Sequence, residues 1–370
     1  KNHKYPNNYL TLVNIKILLD KIRKILGNKV VTFFKSYFKY RKQYVSLNGI
    51  DSNIMESKTG IPQGSALSTT LFNIFINDIN TIIEYSKIEL YADDILIYLE
   101  GNNIDEIEIK LQSDINNIHK WTLINKMILN PDKTKCMIIS KYNTNINLNL
   151  NMHTITNVNE INYLGTIIDN KLTFQNEINK KIHSMSNKIG LFKRINKKLT
   201  LKTKILISNS VILSTLNYCG ILLSYANKNN KKRLQILQNK IIRVIFNLDK
   251  YTNTEKYRIK LKWLNIKYFI KFHILVFIHK IKLGLITKKL KKLLVKKRNC
   301  RYGLRNLNKF EISRVITEKD RKIWIKTGLK LYNNLEKYHV NSSLVKFKKK
   351  FKTKVLTKRM NLLYRNKNCK

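Results

Sequence analysis

Glycine and proline are scarce in this 370-residue chain, at 11 and 3 residues, which excludes a collagen-like or disordered polypeptide and leans towards helix. The four cysteines, Cys136, Cys219, Cys300 and Cys369, lie far apart and include no Cys-x-x-Cys pair. They read as reduced thiols, so a structural zinc site is not expected. No apolar run approaches membrane-spanning length, and the stretch over 274–281 is interrupted by His279 and Lys280. No signal-peptide pattern is present, which points to an intracellular protein of the nucleus and cytoplasm with no membrane partner. The first residue is not Met and the earliest one is Met55, inside an evident domain, so the chain reads as a fragment.

Acidic residues are scarce in one half only. Residues 1–170 hold 19 Lys+Arg and 16 Asp+Glu, a balance of +3, whereas residues 171–370 hold 53 and 7, a balance of +46. A coding bias towards Lys, Asn and Ile would inflate the net +49 but would spread it evenly. The step points to a polyanion held by the second half, with nucleic acid the first candidate.

The elements that are present come in a clear order. Apolar residues at 15, 18, 19, 22, 25 and 26 form one helical stripe, and an aromatic-rich helix is predicted over 29–40 after the Gly27-Asn28 break. Tyr44-Val-Ser-Leu, Asn48-Gly49 and Ile50 predict a hairpin with a type I′ turn. A largely apolar helix is expected over 66–85, and two short strands bracket Asp93-Asp94. An acidic helix from Ile104 to about Asn125 and a strand over 135–140 come next. Helix, strand, turn, strand, helix, strand is the order of an α+β polymerase palm, a split βαβ antiparallel sheet with helices. The Asn/Leu-rich stretch 143–151 reads as a surface loop, and from Leu172 onward the pattern is almost wholly helical. Leu234, Leu237, Ile241, Val244, Ile245 and Leu248 share one face, opposite Lys232, Lys240 and Arg243.

Two adjacent carboxylates on a tight turn repel each other, and each is pushed towards protonation unless a cation joins them. Mg²⁺ (or Mn²⁺) suits such a site, since it takes one or two carboxylates plus substrate phosphates. Nucleotidyl transfer is the matching reaction, with two metals roughly 4 Å apart on the attacking and leaving oxygens. An Asp-Asp turn alone is common in surface hairpins. Here it comes after Gly60-Ile61-Pro62-Gln63-Gly64-Ser65, where Pro62 stiffens the loop, the glycines admit a ligand and Gln63 offers hydrogen bonds to a nucleotide.

GIPQGS followed by Leu71-Phe72, and then Tyr91-Ala92-Asp93-Asp94, resemble the reverse transcriptase family. Arg41-Lys-Gln-Tyr-Val, Asn77-Asp78-Ile79, 129–135 (LNPDKTK), Tyr163-Leu164-Gly165 and Asp169-Asn-Lys171-Leu-Thr-Phe174 narrow this to the polymerases of jockey-like retrotransposons that lack long terminal repeats. The likeness continues more weakly through Leu216-Asn-Tyr218-Cys-Gly220 and Leu237-Gln238. It implies that Asp93 binds the catalytic metals with Asp94 in support, and that Gln63 and Gly64 line the nucleotide pocket. Tyr91 and Ala92 would shape the turn beside the primer end, Lys133 would sit near the leaving pyrophosphate, and Leu164 and Gly165 would form the primer-grip hairpin. It also implies an RNA template, a DNA primer, their RNA–DNA hybrid and dNTPs as partners.

The domains expected are a fingers remnant and palm over 1–170, an all-helical thumb over 171–250 and a basic helical region over 251–370. Basic helices suit a thumb because phosphate contacts hold a duplex without reading it. In the last region Trp263, Tyr268, Tyr302, Trp324 and Tyr332 lie among runs such as Lys296-Lys297-Arg298 and Lys348-Lys349-Lys350. Stacking on single strands is one reading, core packing the commoner one. A third carboxylate should complete the metal site, and the resemblance puts it near Tyr5 with a second Asp near Thr11. Residues 1–19 contain no Asp or Glu, so this copy is expected to be incomplete or degenerate as an enzyme. The rival readings are a non-catalytic nucleic-acid-binding remnant and a group II intron maturase-like protein.

Overall fold

Asn14 opens the first helix by accepting a hydrogen bond from Ile17 N–H at 3.2 Å, the usual device for one of the orphan donors of a first turn. Asn103, Asn227 and Asn265 cap later helices in the same way, as does Thr200, so part of the asparagine excess is put to structural use. The computed structural model describes residues 12–57, 59–62, 64–140, 142, 144–292, 294, 310–312, 324–335 and 341–365. The positions near Tyr5 and Thr11, Gln63, the run 296–298 and Tyr302 lie outside the described residues. The chain divides into two units, residues 1–161 and 162–370.

In the first unit, helices α1 (Ile15–Leu26) and α2 (Asn28–Phe38) flank Gly27 as expected. They bury Leu18, Ile22, Val31, Phe34 and Phe38 with Leu71, Phe72, Phe75 and Ile76 of α3 (Ser68–Ile76). Burying a side chain such as Ile22 completely contributes roughly 2 kcal/mol. Four short strands come after α2: β1 (Lys42–Gln43) pairs with β4 (Met55–Glu56), and β2 (Ser46–Leu47) pairs with β3 (Ile50–Asp51). Asn48 and Gly49, at φ 52° and 81°, both take the left-handed conformation that a type I′ turn requires.

The long helix expected over 66–85 is shorter. After α3 the chain tightens into a 3-10 helix, Asn77–Ile82, where Thr81 Oγ1 donates to Asp78 O at 2.7 Å. The antiparallel pair β5 (Lys87–Tyr91) and β6 (Asp94–Tyr98) then leads into α4 (Ile104–Ile124). The strand expected over 135–140 is only β7 (Lys135–Cys136), and it pairs in parallel with β10 (Thr156–Asn157). The stretch over 143–151 is corrected: Ile146, Leu148 and Leu150 are buried with Ile115 of α4 and Ile155. Alternate residues of an extended segment face one side, and this segment pairs as β8 (Asn149–Leu150) with β9 (His153–Thr154). Its repetitive composition concealed a period-two core strand.

The hairpin β11 (Glu160–Tyr163) and β12 (Thr166–Asp169) leads into the second unit, whose described elements are otherwise helical. They are α5 (Gln175–Ile195), α6 (Leu201–Ile207), α7 (Ser214–Asn217), α8 (Lys228–Phe246), α9 (Glu255–Lys260), α10 (Ile266–Lys282), α11 (Lys288–Lys291), α12 (Trp324–Asn333) and α13 (Leu344–Arg365). One hydrophobic cluster runs from Ile178 of α5 through α8 and α10 to Phe347 of α13. Leu234, Leu237, Ile241, Val244 and Ile245 of α8 are buried as their spacing predicts, and Lys232 and Lys240 face water. Leu248, however, lies beyond the helix and is half-buried, and Arg243 is half-buried, its Nη2 donating to Thr252 O at 3.3 Å. Trp263 and Tyr332 are core residues: Trp263 Nε1 donates to Asn209 Oδ1 at 3.1 Å, and Tyr332 Oη lies 2.7 Å from His279 Nδ1.

Candidate active site

The Asp-Asp turn is made by strand register. Tyr91 pairs with Asp94 across β5 and β6, leaving Ala92 and Asp93 as a two-residue connection. Ala92 has φ 51°, a left-handed conformation in which a Cβ is unfavourable and glycine is the ordinary choice. Such strain clusters at functional sites. Tyr91, Asp93 and Asp94 are exposed. Partial burial pushes the Asp94 carboxyl above the ordinary range, the Asp93 charge adds to the rise, and the Lys133 ammonium opposes it. Lys133 is therefore electrostatically coupled to the turn across about 40 residues of sequence.

Asn130 shapes the loop that presents Lys133. Its Oδ1 accepts from Asp132 N–H at 3.0 Å and Lys133 N–H at 3.3 Å, and its carbonyl accepts from Thr134 Oγ1 at 2.9 Å. The loop 60–65 is anchored at both ends. Gly60 N–H donates to Val13 O at 2.8 Å, and Arg41 Nη1 donates to Gly60 O at 2.6 Å. Ser68 Oγ donates to Pro62 O, and Tyr37 Oη lies 2.9 Å from Ser65 Oγ. Gly64, at φ 80°, has open space where a Cβ would stand, so its backbone conformation and not crowding requires glycine. Gln63 lies outside the described residues, so Gly64 alone represents the expected nucleotide pair.

Three residues have positioning roles that the sequence did not suggest: Asp114, which it did not single out, and Asp78 and Arg41, which it gave only as parts of motifs. Asp114 is fully buried, and its carboxylate accepts from Glu84 N–H (2.9 Å), Tyr85 N–H (3.3 Å) and Ser86 N–H (2.7 Å), the three residues before β5. The available signal was an aspartate inside the stripe Leu111, Ile115, Ile118. Asp78 Oδ1 accepts from Lys21 Nζ at 2.8 Å and Trp121 Nε1 at 3.2 Å, tying α1 and α4 to the end of α3. Arg41 is the third. In the second unit, Asp169 accepts from Lys171, Thr173 and Phe174 N–H groups (3.2, 3.0 and 2.6 Å). Burial raises its pKa, but these backbone bonds outweigh burial and hold it below the ordinary range. Leu164 and Gly165 form the turn of the β11–β12 hairpin, at φ 47° and 78°.

Residues 11–168 match the family model described as reverse transcriptase (RNA-dependent DNA polymerase). That stretch holds both the 60–65 loop and the Asp-Asp turn. This segment is a reverse transcriptase domain. The chain is 27% identical over 262 residues to the RNA-directed DNA polymerase from mobile element jockey of Drosophila funebris, covering 66% of this chain and 28% of that protein. The corresponding Drosophila melanogaster protein is 25% identical over 250 residues, 64% and 27% of the two chains. The probable RNA-directed DNA polymerase from transposon BS of Drosophila melanogaster is 24% identical over 241 residues, 62% and 27%. The chain thus spans 28% or less of the length of these relatives. A reverse transcriptase domain carries the polymerase palm fold and, in general, works with divalent metal ions.

Two adjoining carboxylates are the hard oxygen donors that a divalent ion takes, and the upward push of Asp93 on Asp94 is what such an ion would relieve. Among the described residues no group of three or more His, Cys, Asp or Glu is placed to hold a metal. The donors fit such an ion in kind.

Proposed function

We propose that the reverse transcriptase domain is built for RNA-directed DNA polymerisation, with Asp93 and Asp94 holding Mg²⁺ or Mn²⁺. The observation that carries this reading is the Asp93-Asp94 turn itself, strained at Ala92 and coupled to Lys133. When bound, the metal supplies activation of the primer 3′-hydroxyl and neutralisation of the triphosphate. Tyr91 and Ala92 set the turn against the primer end, Gln63 and Gly64 line the dNTP pocket, and Leu164 and Gly165 grip the primer. Lys133 neutralises the leaving pyrophosphate or gives it a proton. On this reading 1–170 is the fingers remnant and palm, 171–250 the thumb on an RNA–DNA hybrid, and 251–370 a basic helical extension sharing the thumb's core.

A second reading, a nucleic-acid-binding protein without catalysis, is favoured by one observation: residues 1–19 contain no carboxylate. Both are tested by primer extension on primed poly(rA) with dTTP and Mg²⁺, comparing the chain with its Tyr5→Asp/Thr11→Asp form. Extension by the double variant that is abolished by adding Asp93→Asn supports the polymerase reading. Extension undiminished by Asp93→Asn removes Asp93 from the metal site.

A further inference from the structure

The turn of the β11–β12 hairpin is fastened at both of its carbonyls. Tyr218 Oη donates to Leu164 O, and Lys180 Nζ donates to Gly165 O at 2.9 Å. Leu164 needs such support, because a non-glycine residue in the left-handed conformation crowds its own Cβ against the backbone. The supports are themselves anchored by a buried ion pair on α5. Glu177 and Lys181, 2% and 4% exposed, meet at 3.3 Å. Glu177 Oε2 accepts from Ile167 N–H of β12 at 3.0 Å, while Lys181 Nζ donates to Thr215 O at 3.1 Å and Tyr218 O at 2.6 Å.

A buried pair of this kind is weak evidence for stability, since well-packed apolar residues do as well. What apolar residues could not do is bond one helix to the hairpin strand and to the Tyr218 backbone at once. The next two residues hold Tyr218 further. Cys219 takes φ 46°, and Gly220 packs so closely on the His273 ring that a Cβ would lie 2.8 Å from it. The Leu216-Asn-Tyr218-Cys-Gly220 motif thereby acquires a role that its sequence alone did not suggest.

We propose that Tyr218, with Lys180, is a positioning residue that latches the Leu164 and Gly165 turn in the conformation that meets the primer terminus. The inference rests on the polymerase reading, in which this turn is the primer grip. Tyr218 touches the turn and not the reacting atoms, and Lys180 adds a cation beside a backbone that receives a phosphodiester.

The test uses the full chain and an RNA–DNA template–primer whose 3′-terminal residue is 4-thiothymidine, with photo-crosslinks mapped by mass spectrometry. The unaltered chain is expected to crosslink within residues 160–169. Tyr218→Phe, which removes one hydroxyl, is expected to lower that crosslink at least five-fold and speed amide exchange over 160–169. Duplex affinity, set by the helices, should stay within two-fold. Lys180→Met should lower the crosslink likewise and weaken duplex binding by the loss of one phosphate contact, and Lys180→Arg should restore both, which a merely structural loss would not do. An undiminished crosslink at 160–169 in Tyr218→Phe overturns the latch, as does a crosslink of the unaltered chain elsewhere while the duplex is bound. Failure of the unaltered chain to bind the duplex would instead overturn the polymerase reading, and the latch with it.

Discussion

Asp114 offers the sharpest test of how the Asp-Asp hairpin is supported. Its carboxylate is fully buried and serves three consecutive N–H groups, those of residues 84–86, immediately before β5. Substitution by Ala leaves those donors without their acceptor. Buried donors cost about 1–3 kcal/mol each when orphaned. Glu84 and Tyr85 are exposed residues, so water recovers part of the loss there, while Ser86 is half-buried. The expected net destabilisation of the first unit is therefore about 3 kcal/mol, a large fraction of the roughly 5–15 kcal/mol of a typical domain. Asp114→Asn keeps one acceptor oxygen but turns an amide donor towards a backbone donor, so an intermediate loss is expected.

Because the chain has two units, a single unfolding midpoint would mix them. Hydrogen exchange read peptide by peptide along a urea series separates the hairpin 87–98 from the helical unit. In Asp114→Ala the hairpin should lose its protection at lower urea than in the unaltered chain, with protection of α8 and α10 unchanged. A shift worth less than about 0.5 kcal/mol, within the range of ordinary surface substitutions, would refute the claim that Asp114 carries the entry to β5.

Two further outcomes concern the second unit. Burial, and then the charges of Lys352, Lys348, Lys181 and Lys280, pushes His273 down to about 4. Its folded pKa lies below the unfolded value, so the unfolded state binds more protons between about pH 6.5 and 4, and stability falls as pH falls through that window by roughly 3 kcal/mol. Urea unfolding at pH 7 and pH 5 checks this, and His273→Gln should flatten the dependence. With exposed Lys232, Arg233, Lys240, Lys348 and Lys349 on its helices, the chain should bind duplexes of unrelated sequence with similar affinity. The slope of log K against log salt should correspond to several released counterions, at about 0.9 per phosphate contact; a flat response would mean that the +46 balance reflects composition alone.

The legible features were those with a short-range cause. Apolar spacing located α1, α4 and α8, and Asn48-Gly49 located its turn, because 3.6-residue periodicity and left-handed φ are written in adjacent residues. The hairpin that carries Asp93-Asp94 was legible from the short apolar runs on either side of it. Features that depend on partners far away in the chain were not legible. Arg41 reaches Gly60, Asp78 reaches Lys21, and Tyr218 reaches Leu164, and no local pattern announces such pairs. The 143–151 stretch failed for another reason: its alternation is a strand signal, but the asparagines between the apolar residues resemble a loop composition.

The residues that hold the scaffold and those that would do chemistry differ in this chain, and the difference yields a last prediction. Asp114, Asp169 and Glu177 accept from backbone N–H groups, and Asp78 accepts from the Lys21 and Trp121 side chains. The resemblance expects carboxylates near positions 5 and 11, where the chain carries Tyr5 and Thr11. A two-metal site needs a further carboxylate beyond Asp93 and Asp94 to hold its ions and lower the barrier for the attacking hydroxyl. Losing a ligand of that kind costs several orders of magnitude in rate while leaving folding intact. The chain is therefore expected to fold and to bind a primed template, yet to make no more product from primed poly(rA), dTTP and Mg²⁺ than its own Asp93→Asn variant. Folding is read by hydrogen exchange in the same preparation, so an unfolded sample cannot imitate the result. Robust extension above the Asp93→Asn control would show that a carboxylate elsewhere in the chain completes the site, and that the register assigned to residues 5 and 11 is wrong.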